Sequence, residues 1–162
     1  MNVLKDLISH IKDSTNILVA GHVSPDGDAI GACLAMGLIL KQMGKQYSIL
    51  LEEAGDQYAD LLHTAPVLSR APEQACDLFI ALDCADLDRL GSFKGAFEKA
   101  KITWHVDHHI SNTNYGQYNY VDAKASSASE ITFGIYEASK VEMNTQMAKA
   151  IYTGIIYDTS AF

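Results

Sequence analysis

Apolar positions along the chain switch between two spacings. Val3, Leu4, Leu7, Ile8 and Ile11 recur every three or four residues, which predicts a helix with one buried stripe. Residues 16–21, Asn16-Ile17-Leu18-Val19-Ala20-Gly21, are a near-continuous apolar run, the pattern of a strand buried on both faces. After a polar break, Ala29 to Leu38 is apolar and predicts a helix that runs to Met43, with Gly44 placed to end it. Strands are expected at Gln46–Leu51, Asp77–Leu82 and Ile102–Val106, with a helix over Leu87–Ala100 before the last of these. Residues 111–123 are polar and turn-rich, with room for a short edge strand at Tyr118–Val121. Helices over Ala125–Ser139 and Asn144–Tyr157 follow. The alternation predicts an α/β fold, a mostly parallel β-sheet sandwiched by helices, with residues 1–162 as one domain and no internal repeat.

The polar breaks carry the chemistry. His22-Val23-Ser24-Pro25-Asp26-Gly27-Asp28 puts an imidazole and two carboxylates into one turn directly after the first strand. Such crowding is unfavourable unless a cation or strong hydrogen bonds compensate. Ala81-Leu82-Asp83, Trp104-His105-Val106-Asp107-His108-His109 and Ile155-Ile156-Tyr157-Asp158 repeat the pattern of an apolar run ending in Asp or His. In an open parallel sheet, ligands sit beyond the carboxyl ends of the strands. His22, Asp83 and Asp107-His108-His109 are expected to converge there, and Asp158 to join them from the end of a helix. Carboxylates with about one imidazole per ion suit hard divalent cations, Mn2+ or Mg2+, with Co2+ possible in vitro. The donors exceed what one such ion takes from protein, so two ions sharing a carboxylate are expected, an arrangement specialised for displacement at phosphorus.

Composition narrows this picture. At 162 residues and 48% hydrophobic, the chain can bury a full core. No apolar run is long enough to cross a bilayer. The early acid at Asp6 is unlike a signal peptide. Cys33, Cys76 and Cys84 share no metal-ligand spacing and read as reduced thiols, so a cytoplasmic protein with no membrane partner is expected. Cys84 beside Asp83 reads as a small residue at a strand end before it reads as a nucleophile. A net charge of −8 argues against binding long duplex nucleic acid. Two divalent cations would offset about four of those charges.

His22-x-x-Pro25-Asp26-x-Asp28-Ala29, then Asp83, then Asp107-His108-His109, then Asp158 resemble the four ordered motifs of the DHH phosphoesterase superfamily. The flanks resemble its small bacterial oligoribonuclease (nanoRNase)/pAp phosphatase branch. Ala29 stands where pyrophosphatase-like members tend to carry Ser, and Asp107-His108-His109-Ile110-Ser111-Asn112, Ala125-Ser126-Ser127-Ala128-Ser129-Glu130 and Gly154-Ile155-Ile156-Tyr157-Asp158-Thr159 also look typical. The resemblance implies that His22 and Asp26 hold one metal, that Asp28, His108 and Asp158 hold the other, and that Asp83 bridges them. It implies that His109 faces the substrate phosphate, that Asp107 orients the neighbouring histidines, and that a metal-activated water is the nucleophile.

The expected enzyme is a phosphoric ester hydrolase that uses two Mn2+ ions on short RNA or pAp-like nucleotides. Alternatives are a dinucleotide or cyclic-dinucleotide phosphodiesterase, a pyrophosphatase or exopolyphosphatase, and a metal-stabilised binding module without turnover. Members of the branch continue into a smaller substrate-binding domain, whereas this sequence stops at Thr159-Ser160-Ala161-Phe162. It is therefore expected to be the catalytic half, with apolar surface on its last helix favouring a homo-oligomer.

The bland readings compete motif by motif. Asp26-Gly27-Asp28 alone suits a turn with side-chain-to-backbone hydrogen bonds, and Ser126, Ser127 and Ser129 suit a helix cap. Tyr118 and Tyr120 suit an alternating edge strand as well as a base-stacking surface, which Tyr115 would also join. His10, His63 and His105 are assigned no function.

Overall fold

The computed structural model of the chain describes residues 3–63 and 65–159. Helix α1 (Val3–Asp13) buries Leu7, Ile8 and Ile11, as the spacing predicts. There follow β1 (Asn16–Ala20), α2 (Gly27–Gln42), β2 (Gln46–Leu50), α3 (Ala59–Leu62), β3 (Val67–Leu68) and β4 (Leu78–Leu82). The second half comprises α4 (Lys94–Lys99), β5 (Ile102–Asp107), β6 (Tyr118–Val121), α5 (Ala128–Ser139) and α6 (Thr145–Asp158). Ser160-Ala161-Phe162, on which the expectation of a shortened chain rests, lie outside the described residues.

Every strand pairing is parallel, in the order β3-β2-β1-β4-β5-β6. The chain builds outward from β1 to β3, returns to lay β4 beside β1, and builds outward again to β6. The order therefore reverses between β1 and β4, where a crevice opens beyond their carboxyl ends. Ala20 pairs with Ala81 across this switch, so His22 and Asp83 both lie two residues beyond the same rung.

Alternate strand residues serve opposite faces. Ile17, Val19, Ile49, Ile80, Leu82, Trp104 and Val106 pack with α1, α2, α5 and α6. Leu18, Ala20, Leu50, Phe79 and Ala81 pack with Leu90, Phe93 and Phe97 on the other side. Both faces are covered, which is why the strands read as unbroken apolar runs. Helix α2 is buried from Gly27 to Leu40 because it lies between the sheet and the α5–α6 pair. Gly31 permits that packing, since a Cβ there would overlap the carbonyl oxygen of Ala150 in α6.

Three local expectations change. The helix expected over Leu87–Ala100 is a 3-10 segment, Leu87–Phe93, broken at Gly91 and followed by α4. Gly91 has φ +58°, which a continuous helix does not accommodate. The helix expected from Ala125 begins at Ala128, because Ser127 caps it by accepting the Glu130 N–H. The short elements α3 and β3, in the polar stretch after β2, were not anticipated; two residues of strand carry too little pattern to read.

Candidate metal centre

Four segments deliver the cluster. His22 leaves β1 in a turn that closes onto the start of α2, where Asp26 caps the helix by accepting the Ala29 N–H through Oδ1 at 2.9 Å. The turn-and-cap reading of this acidic segment is therefore correct for Asp26, yet its other oxygen faces His22 Nε2 at 3.5 Å. Asp83 follows β4 with φ +58°, a left-handed conformation that Asp adopts more readily than most residues. Its N–H donates to the Val106 carbonyl at 3.0 Å, tying the turn to β5. Asp107 ends β5, and His108 and His109 follow it into the same crevice. Asp158 is the last residue of α6.

Asp83 lies between two groups. Its Oδ2 is 3.6 Å from His22 Nε2, and its Oδ1 is 3.3 Å from His108 Nε2. His108 Nε2 is also 3.5 Å from Asp28 Oδ2 and 3.0 Å from Asp158 Oδ2. His22, Asp26 and Asp83 can direct one atom each to a common point, with those atoms within 4.8 Å of one another. So can Asp28, His108 and Asp158, and so can Asp83, Asp107, His108 and His109. All the expected site residues are thus brought together.

The electrostatics is that of an uncompensated cluster. Burial, and then the charge of Asp83, push the Asp28 carboxyl up to about 8. Burial and Asp83 raise Asp158 as well. Burial works against ionised Asp83, yet His108 and His22 hold it below the ordinary carboxylate value. The Asp83 carboxylate raises His108 to about 9. Against the pull of burial, Asp26 and Asp83 raise His22 to about 10. Even so, Asp83 Oδ1 and His108 Nε2 are buried and make no hydrogen bond. Two opposed, unsatisfied ligand-type atoms in a carboxylate-rich pocket fit a divalent cation, and carboxylate oxygen with imidazole nitrogen is the donor set of Mn2+ or Mg2+.

The surroundings hold these groups still. Asp28 is fully buried, and its two oxygens accept the N–H groups of Ala128 and Ser129 at 2.9 Å each. The start of α5 thereby fixes Asp28, with the helix dipole favouring its charge. Asp107, also fully buried, accepts from His109 Nδ1 at 2.7 Å and from the Asn112 amide at 2.9 Å. Asp107 is thus bonded to one of its neighbouring histidines, His109. Asn112 and the α5 backbone amides are the parts that residue reading missed. Asn112 was visible only as a flank of the Asp107-His108-His109 motif, and backbone donors leave no side-chain signal.

The remaining candidates are structural. The Cys84 thiol is buried, donates to the Asp86 carbonyl at 3.2 Å and is pushed up to about 12 by burial, the reverse of nucleophile activation. All three cysteines are free and buried. Tyr115 donates to the Cys84 carbonyl and lies against the His105 ring, and Tyr118 stacks on Trp104, so both rings have packing partners within the chain. His10 accepts the Trp104 indole N–H at 2.8 Å, and His105 is buried against the Cys84 carbonyl. Ser127 is a cap, and Ser126 bonds Glu130. Among the described residues, no helix is long and apolar enough to cross a membrane.

A doubly wound parallel sheet with a carboxylate–imidazole cluster at its switch point defines a class of α/β proteins that bind ligands beyond the strand ends. Within that class the chain belongs to the DHH family: residues 16–155 match the model of its N-terminal domain. Over its whole length it is 26% identical to a probable bifunctional oligoribonuclease and PAP phosphatase NrnA of Streptococcus mutans, spanning 51% of that protein. It is 28% identical to the NrnA of Bacillus subtilis, covering 97% of this chain and 50% of that one. A probable manganese-dependent inorganic pyrophosphatase of Lactobacillus gasseri is 29% identical over 88% of this chain and 47% of its own length. The chain therefore spans about half the length of these curated relatives. An exopolyphosphatase-related protein from Bacteroides fragilis shares the fold, with a TM-score of 0.90 at 22% identity over 99% of this chain and 51% of its own.

Proposed function

We propose that this chain is the catalytic domain of a two-metal phosphoesterase that hydrolyses short oligoribonucleotides, nucleoside 3′,5′-bisphosphates, or both. The observation that carries the reading is Asp83, whose two oxygens face His22 on one side and His108 on the other. In this reading His22 and Asp26 hold one cation, Asp28, His108 and Asp158 hold the second, and Asp83 serves both. Manganese is favoured by the donor set, and a relative is named for manganese dependence. Such a pair of cations, when bound, lowers the pKa of water and offsets charge on phosphate oxygens. The chain supplies position. The amides of Ala128 and Ser129 hold Asp28 as an acceptor, and Asp107 accepts a hydrogen bond from the Nδ1–H of His109. In this reading His109, with Nδ1 bonded inward and a side chain 41% exposed, meets a phosphate oxygen through Nε2.

The substrate choice rests on the names of the NrnA relatives and on the flanks of the motifs. A pyrophosphate or dinucleotide substrate is the second reading, favoured by the pyrophosphatase relatives. The test is release of mononucleotide from a five-nucleotide RNA, of phosphate from pAp, and of phosphate from pyrophosphate, each titrated with Mn2+. Turnover of RNA or pAp is the expected result. Mn2+ binding with no turnover of any phosphoester would make the domain a metal-stabilised binding module.

A further inference from the structure

Arg89 sits beside this cluster without a role in it. Its guanidinium Nη2 is 3.3 Å from His22 Nδ1. That contact is not a hydrogen bond of any strength, because His22 Nδ1 already directs its proton to the Val23 carbonyl at 2.6 Å. A bare nitrogen lone pair could not sit 2.6 Å from a carbonyl oxygen, so the Val23 contact requires the proton on Nδ1. Two donors therefore face each other. Among the described residues, no carboxylate lies within ion-pair distance of Arg89, whereas Lys94 and Lys101 are paired with Asp88 and Asp77. A five-donor cation thus stands at the rim of an acidic centre with no carboxylate partner among the described residues.

Its placement is built into the fold. The Val23 N–H donates to the Arg89 carbonyl at 2.7 Å, which locks the loop after β1 to the segment after β4 across the switch crevice. A Cβ at Gly91 would strike Val23, so the left-handed turn there lets the two loops close. Arg89 is exposed, so a ligand can reach it.

We propose that Arg89 is a substrate-binding residue that takes a phosphate oxygen by charge-assisted hydrogen bonds on the His22 side of the centre. The inference rests on the phosphoesterase reading above. It adds to the proposed cations a side-chain donor of fixed charge for an anionic substrate.

The probe is inorganic phosphate, titrated calorimetrically in saturating Mn2+, with pAp as the kinetic substrate. Arg89→Gln should weaken phosphate roughly tenfold or more and raise KM for pAp more than it lowers kcat. Arg89→Lys should recover part of the loss. Mn2+ affinity and melting temperature should stay close to those of the unaltered chain, since the carbonyl contact to Val23 is backbone. Unchanged phosphate affinity in Arg89→Gln overturns the proposal. So does a matching loss of Mn2+ affinity, which would mean that Arg89 acts through His22. Failure of the underlying reading looks different: the unaltered chain itself would bind no Mn2+ or turn over no phosphoester.

Discussion

Asp83 Oδ1 faces His108 Nε2 across 3.3 Å, and neither atom makes a hydrogen bond although both are buried. Two such atoms left opposed cost stability unless a third group satisfies both. Removing one should therefore strike metal binding before it strikes the fold. Asp83→Ala is expected to weaken Mn2+ by more than the roughly 10–100-fold that loss of a supporting residue costs, and to abolish phosphoester turnover. Calorimetric titration of Mn2+ reads the first effect. Near-normal affinity in this variant would remove Asp83 from between the metals.

The same cluster predicts a pH dependence for the protein stripped of metal. His22 and His108 are raised to about 10 and about 9, so each contributes stability that is full below the unfolded value near 6.5 and is lost as pH rises through the folded value. Asp28, raised to about 8, contributes stability below its unfolded value near 3.8 that is lost by the time pH passes 8. All three have the same sign. In EDTA the melting temperature should fall between pH 6.5 and 9.5. In Mn2+ the trend should shrink or reverse, because protons compete with the metal for these ligands. A flat EDTA profile by differential scanning calorimetry would contradict the coupling among these groups.

The elements that could be read from the sequence share a physical property. Strands β1, β4 and β5 are buried on both faces, so their apolar runs stood out, and the residues just past them were assigned to the crevice by topology. Asp158 could be placed only through a packing angle, which α2 and α6 set by close approach at Gly31 and Gly154. Such an approach has no periodic signature. Asn112 and the α5 amides escaped because their roles depend on partners 5 and about 100 residues away in the chain.

That packing angle can be tested directly. A methyl group at Gly31 would overlap the Ala150 carbonyl, and one at Gly154 would overlap Ser129 and approach Asp28 Oδ1 at 2.9 Å. Gly31→Ala should destabilise the fold by about 1–3 kcal/mol, the range for overpacking in a filled core. Gly154→Ala should also weaken Mn2+ binding, because α6 carries Asp158 one turn further on. Denaturant melts with parallel metal titrations separate the two. A Gly154→Ala protein with native metal affinity would mean that α6 can shift without disturbing the centre.

A last prediction concerns Asp107, whose two oxygens receive different donors, the His109 ring and the Asn112 amide. A carboxylate can accept on both sides, whereas an amide accepts on one and presents N–H groups on the other. Asp107→Asn must therefore lose one of the two bonds, or drive His109 into the other tautomer with its proton on Nε2. Either outcome disturbs the ring proposed to face substrate phosphate. The variant should lose roughly 10–100-fold in kcat, the usual cost of unsettling a residue that orients another. Asn112→Ala removes only the second bond and should cost less. Mn2+ affinity distinguishes orientation from ligation, since Asp107 also falls within reach of a common point with Asp83, His108 and His109. Affinity kept within a few-fold in Asp107→Asn leaves Asp107 as the residue that aims His109, and a collapse comparable to that of Asp83→Ala would make it a metal ligand instead.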